Sequence, residues 1–301
     1  MYPHQSFSAK IMLFGEYTVI CGSMALMMPF DRFAGMWKTY DSDSQHPSIP
    51  FLRLFYEYLK DHDDIAAVLD IERLRHDMEH GLVFDSDIPI GYGVGSSGAL
   101  VAATYSRYAS NQVDDIQQLR KIFSAMESFF HGQSSGLDPL CIYVQKPMLV
   151  KSDGHIQPMN YLPNLSKAGM SMFLADTESI GMTEPLVSFF RDRLKHYTFF
   201  RRLNNELIPA TNKAISALLN EDQVTFYESL RTISDFQIRY LTPMIPVNMR
   251  PIWQAGLDTD GYTMKLCGSG GGGYLLGFSK NMAATESYLL NHFPAFKWLA
   301  M

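Results

Sequence analysis

The sequence predicts a mixed α+β chain of two domains, and three observations carry that expectation. With 301 residues, 47% of them hydrophobic and 19% charged, the chain is long enough for one large or two medium domains and too apolar for disorder. Up to about position 160, strand-like runs rich in β-branched and aromatic residues alternate with helical patterns; beyond 175 helical patterns dominate, until a last pair of strand-like runs. Residues 162–167, with proline, asparagine and lysine, read as the boundary, giving an N-terminal domain over 1–165 and a C-terminal domain over 166–301.

Taken in order, residues 10–20 are expected to form a strand pair broken at Gly15-Glu16, with Lys10 opening the first strand and a turn at Gly22. Further strand is expected over 25–37, a polar loop over 41–50, and helices over 51–60 and 64–79. The second helix carries His76-x-x-Glu79-His80, the inverted zinc-protease spacing, with two imidazoles at i and i+4. Nothing nearby supplies a third ligand at suggestive spacing, and histidines are favoured at a helix C-terminus by the dipole, so a solvated helix end is the reading adopted.

A strand over 81–84 leads into the most informative run, Pro89-Ile90-Gly91-Tyr92-Gly93-Val94-Gly95-Ser96-Ser97-Gly98-Ala99, with a helix expected over 99–109. Four glycines remove Cβ atoms, so backbone N–H groups can converge on an anion, and the helix that follows would aim its positive end at the same spot. An ordinary strand-to-helix turn is the bland alternative. The run lacks the lysine of a Walker A loop, and it has Ser96 where the dinucleotide fingerprint needs glycine.

The next helix starts at Asp114, with Gln117 as a capping-box partner, and carries the apolar stripe Leu119, Ile122, Phe123, Met126 and Phe130. Glu127 lies on the shoulder of that stripe, where a carboxylate needs a cation or a donor. Residues 131–139 read as turns ending in Asp138, 141–150 as strand, and Gly154 as a hairpin turn. In the second half, a strand over 170–175 precedes helices over 184–196, 199–219 (interrupted at Pro209) and 222–240. Finally, two strand-like runs flank positions 268–273, which hold five glycines. Two suffice for a primed hairpin turn, so the surplus implies a close backbone approach.

Composition narrows the function. A net charge of −6 and a pI near 5.8 speak against wrapping a nucleic acid, so any phosphate site must be local. No apolar run reaches the ~18–20 residues of a membrane span, and the first eight residues are too short and polar for a signal peptide. Three widely spaced cysteines, Cys21, Cys141 and Cys267, fit a reducing cytoplasm, the expected location. The candidate reactive groups are Lys10, Glu16, Ser96, Ser97, Glu127 and Asp138. They match the needs of phosphoryl transfer: a phosphate cradle, oxygen ligands for Mg²⁺, and a base beside an acceptor hydroxyl.

In their order, Lys10 with Gly15-Glu16, then the Pro89 to Ala99 run, then Lys265 with Gly268-Ser269-Gly270-Gly271-Gly272, these motifs resemble the three motifs of the GHMP kinases. Within that superfamily Glu127 and Asp138, eleven positions apart and enclosing His131-Gly132-x-x-Ser135-Gly136, are most similar to the mevalonate kinase stretch. The resemblance implies two α+β domains, an N-terminal α/β domain with the phosphate loop and a C-terminal ferredoxin-like domain, with the active site in the cleft. It implies ATP and Mg²⁺ as cofactors and a small-molecule alcohol as partner, with mevalonate converted to 5-phosphomevalonate. The alternatives are another GHMP kinase, acting on phosphomevalonate or a sugar, and a non-catalytic nucleotide sensor. No nucleic-acid or membrane partner is expected, and a homodimer is left open.

By the same resemblance Asp138 is the catalytic base and Lys10 its cationic partner. Gly91, Gly93, Gly95, Ser96, Ser97 and Gly98 wrap the ATP phosphates; Gly268, Gly270 and Gly271 close over them; Ser97 and Glu127 hold Mg²⁺. Glu16, Tyr17 and Gly136 fall on the acceptor side. The chain departs from the pattern at Ala9, at Tyr17 (usually histidine), at Gly98 and at Ser269 (both usually alanine). The arginines Arg191, Arg193, Arg201 and Arg202 are the basic candidates should the acceptor carry a phosphate.

Overall fold

The computed structural model describes residues 5–40, 46–165 and 169–301, and the chain divides into two compact units. The first gathers the chain up to Lys10 with Pro29–Ile90 and Gly95–Lys146; the second gathers Ile11–Met28, Gly91–Val94 and Pro147–Met301. Residues 147–165, assigned from the sequence to the N-terminal domain, cluster with the second unit. Strands β1 (Ser6–Phe14) and β2 (Ala25–Thr39) each begin in one unit and end in the other. The expected loop over 41–50 has its first half, and the expected boundary at 162–167 its last two positions, outside the described residues.

In the first unit follow helices α1 (Ile49–Asp61), α2 (Asp63–Ala66) and α3 (Ile71–Glu79), then β3 (Leu82–Ser86), α4 (Ser96–Tyr108), α5 (Ile116–His131) and α6 (Leu137–Val144). β3 pairs antiparallel with the far end of β2, Gly35 opposite Ser86 and Thr39 opposite Leu82. α4 is the core helix: Ala99, Val101, Ala102, Ala103 and Tyr105 are wholly buried, as expected of a helix apolar all round. Trp37 on β2, half-buried, donates its indole N–H to the Ala103 carbonyl at 3.1 Å. The α5 stripe is as expected, with Leu119, Phe123 and Met126 buried.

Three expectations are corrected here. The helix over 64–79 is two: Leu69 bridges to Ala109, and the Asp70 carboxylate caps α3 by accepting from Arg73 N at 3.0 Å. The cap of α5 is Asp115, accepting from Gln118 N at 2.8 Å, one residue later than expected. The run from 141 continues a helix to Val144, and strand begins only at Met148. An unbroken apolar run cannot separate a buried helix from a strand. Pro139 is tolerated because the first helical amides lack intrahelical acceptors anyway.

In the second unit the expected strand pair over 10–20 is half right. β1 ends at Phe14, Gly15 turns with φ +110°, and Val19–Cys21 form a single 3₁₀ turn closed by left-handed Gly22. The start of β2 pairs antiparallel with β4 (Met148–Val150), which forms a hairpin with β5 (Ile156–Pro158) through the expected turn at Gly154. Then come β6 (Ser171–Asp176), α7 (Thr183–Leu194), α8 (Tyr197–Arg202), α9 (Ile208–Leu219), α10 (Gln223–Tyr240), α11 (Arg250–Thr259), β7 (Tyr262–Leu266), β8 (Tyr274–Ser279), α12 (Met282–His292) and β9 (Lys297–Ala300). The sheet order is β7-β8-β6-β9, every pair antiparallel. Strand, helices, strand, strand, helix, strand in that order is the expected ferredoxin-like arrangement. A π-helical stretch, Leu203–Leu207, joins α8 to α9 just before Pro209, where a wider turn absorbs the missing N–H.

Candidate active site

In the first unit, Lys10 on β1 is 1% exposed and its Nζ lies 2.8 Å from Oδ2 of Asp138, in the first turn of α6. A buried ammonium needs such a counter-charge. The Asp138 side chain is 30% exposed, so the pair has one hidden member and one accessible member. Both α4 and α6 begin at a glycine in the left-handed region, Gly95 and Gly136, with no side-chain cap on either helix. The two first turns touch. A Cβ at Gly98 would lie 3.0 Å from Pro139 N and 3.2 Å from the Asp138 carbonyl carbon. Two positive helix ends and Lys10 therefore converge where an anion would be welcome.

Glu127 on α5 is 3% exposed and accepts hydrogen bonds from Ser97 Oγ at 3.2 Å and from Ser134 Oγ. Burial, and then the nearby Asp138, push its carboxyl up to about 8, against the opposing pull of Ser134, Lys10 and Ser97. An oxygen cluster so short of positive charge suits a hard divalent cation, and Ser97 and Glu127 are oxygen donors of the right kind. Among the described residues no group of three or more His, Cys, Asp or Glu could hold a metal ion, so Mg²⁺ would draw most of its shell from water and phosphate. His76 and His80 are exposed at the C-terminal end of α3, their rings stacked at 4.1 Å. Gly136 backs onto α5, where a Cβ would meet Arg120 O at 2.3 Å, so its role in the fold is to seat α6.

The second unit holds the other motif residues. The Glu16 carboxylate is buried and accepts from Lys265 Nζ at 2.5 Å, and the same ammonium donates to Leu266 O at 2.6 Å. Tyr17 has φ +63°; its hydroxyl donates to Ser269 O at 2.7 Å and its ring lies 4.8 Å from that of Phe190. Burial, with Glu16 beside it, pushes the phenol well above its ordinary range.

The surplus glycines are explained by each other. A Cβ on Gly93 would lie 2.5 Å from the Cys267 carbonyl oxygen, and one on Gly268 would lie 2.9 Å from the Gly93 Cα. The stretch 91–94 is thus laid backbone to backbone on 267–274, with Tyr274 N donating to Tyr92 O at 3.2 Å. Gly271 N and Gly273 N donate to Met244 O and Ser179 O, each at 2.6 Å.

Of the residues expected from the sequence, Lys10, Gly95, Ser96, Ser97, Gly98, Glu127, Gly136 and Asp138 lie in the first unit. Glu16, Tyr17, Gly91, Gly93, Gly268, Gly270 and Gly271 lie in the second. Two polar partners were not assigned a role from the sequence, Ser134, which was not singled out, and Lys265, which was quoted only as part of a motif. The first lies inside the Glu127 to Asp138 stretch, where a hydroxyl near a shouldered carboxylate is a signal; the second sits in the third motif, and nothing local marks its partner.

Of the arginine candidates, Arg201 and Arg202 are exposed on α8, and Arg202 pairs with Glu206 at 3.0 Å.

A family profile described as GHMP kinases N terminal domain matches residues 56–145. This stretch is a GHMP kinase N-terminal domain. The GHMP kinase domain carries α4, α5 and α6, and with them Ser96, Ser97, Glu127 and Asp138. Beyond it, the chain is similar to a mevalonate kinase of Pyrococcus horikoshii, 25% identical over 308 residues that cover 90% of this chain and 87% of that one. It is also similar to a mevalonate kinase of Thermococcus onnurineus, 27% identical over 155 residues; the match spans 44% of this chain and less than half, 46%, of the relative. The fold is similar to that of the L. major mevalonate kinase solved in complex with R-mevalonate, with a TM-score of 0.67 at 14% identity over 100% of this chain and 95% of the other.

Proposed function

We propose that the chain is an ATP-dependent kinase of a small-molecule alcohol, and that the alcohol is mevalonate, the product being 5-phosphomevalonate. The observation that carries the reading is the Lys10–Asp138 pair, with its ammonium buried and its carboxylate accessible, at the meeting of two uncapped helix N-termini. The relatives' names supply the acceptor.

In this reading the hydroxyl proton of the alcohol passes to Asp138 as the oxygen bonds to the γ-phosphorus of ATP. The bond from that phosphorus to the bridging oxygen breaks, and ADP leaves. Lys10 pairs with Asp138 beforehand and stabilises the negative charge that builds on the alcohol oxygen. The first turn of α4, with Gly95, Ser96, Ser97 and Gly98, holds phosphate oxygens on its amides. Ser97 and Glu127 would hold Mg²⁺, which when bound neutralises phosphate charge.

The test is ADP release with mevalonate, phosphomevalonate, galactose and homoserine as acceptors, on wild type and on Asp138→Asn. Turnover of mevalonate, falling by ~10²–10⁴ in the variant, is expected. ATP binding without turnover of any acceptor would favour a nucleotide sensor. A variant as fast as wild type would remove Asp138 as the base.

A further inference from the structure

We propose that Tyr17 is a positioning residue for the glycine loop at 268–273. Its hydroxyl, with the buried Lys265–Glu16 pair beneath it, fastens the turn at 15–18 to that loop, so a residue on the acceptor side of the first motif also governs how tightly ATP is held. The ATP half of this inference rests on the kinase reading above; the fastening does not.

Two of the chain's departures from the GHMP pattern meet here. Tyr17 donates its hydroxyl to the carbonyl of Ser269 at 2.7 Å, and the Ser269 hydroxyl is hydrogen-bonded to that of Thr183 at 3.1 Å. Ser269 is therefore gripped from both sides, by its backbone and by its side chain. Tyr17 can reach it because its backbone sits at φ +63°, a conformation costly for an aromatic residue and retained only where the surroundings enforce it.

The enforcement is visible. On one side the ring packs at 4.8 Å on Phe190, which is edge-on to Phe199 at 5.9 Å. On the other, the neighbouring Glu16 is anchored to Lys265 at 2.5 Å, three positions before Gly268, with both side chains 3% exposed or less. The Lys265 ammonium also lies 5.7 Å from the Phe14 ring centroid, so the last residue of β1, the turn and the start of the glycine loop share one cation. An acceptor contact alone would not need the phenol committed to a backbone carbonyl. A loop that must be held in one place for a nucleotide would.

The experiment uses the full chain and Tyr17→Phe, which keeps the ring on Phe190 and deletes only the donor. Replacing Lys265 would strand a buried carboxylate and endanger folding, so Thr183→Val, which deletes the other grip on Ser269, is the second variant. Hydrogen exchange of the amides at 268–273 is expected to speed up about fivefold in either variant, the worth of one hydrogen bond, with α10 unchanged. Calorimetry with Mg-ATP and no alcohol is expected to show affinity weakened about fivefold in Tyr17→Phe. KM for ATP should rise by the same factor while KM for the alcohol stays within about twofold. Wild-type exchange at 268–273 in both variants would overturn the fastening. Unchanged ATP affinity with a raised alcohol KM would make Tyr17 an acceptor contact only. A wild type that binds no ATP would overturn the kinase reading and the nucleotide half of this one, and exchange would still decide the rest.

Discussion

Glu127 shows how one carboxylate can be both well placed and uncomfortable. Each of its oxygens accepts from one hydroxyl, but burial and the neighbouring Asp138 favour the protonated form. With the ordinary glutamate value near ~4.3 and the folded value at about 8, the folded chain binds one more proton than the unfolded chain between those limits. Stability therefore falls as pH rises through that window, and the penalty is complete above it. Thermal melts in a chelator should show this decline in wild type and a flatter profile in Glu127→Gln over the same range. A decline equally steep in both proteins would place the titrating group elsewhere.

At the scale of elements, the contact between the first turns of α4 and α6 sets the geometry of Lys10, Ser97 and Asp138. Gly98→Val would press a branched side chain against the backbone of Asp138 and Pro139, and overpacking of that kind costs about 1–3 kcal/mol. Urea melts should register the loss, and turnover should fall further than stability alone explains, because α6 carries Asp138. Most elements here were legible in the sequence: β2, α1, α4, α5, the β4–β5 hairpin and the strands flanking the last glycine loop all announce themselves by period and turn residues. Those that were not have a common cause. α6 looks like a strand because an apolar run has no period, and the break between α2 and α3 is made by a distant bridge to Ala109. The site divides the same way. Lys10, Ser97, Glu127 and Asp138 stand out by motif order, whereas the surplus glycines pointed to a close approach without revealing that its partner is a second glycine loop.

At the scale of the whole molecule, the chain passes from one compact unit to the other five times, at 10/11, 28/29, 90/91, 94/95 and 146/147. No single cut separates them. A fragment ending at 165 would keep Glu16 without Lys265 and the stretch 91–94 without residues 267–274. It should give a broad, weakly cooperative urea transition by circular dichroism, and adding the 166–301 fragment should sharpen it. A sharp two-state melt for the short fragment alone would refute the expectation. The Glu16–Lys265 pair also joins positions 249 apart. At the ~5–20 residues per second of protein synthesis, Glu16 leaves the ribosome about 12–50 s before its partner. For that interval the nascent chain carries an acid that cannot be sealed into its core, and chaperones have their longest opportunity to hold it.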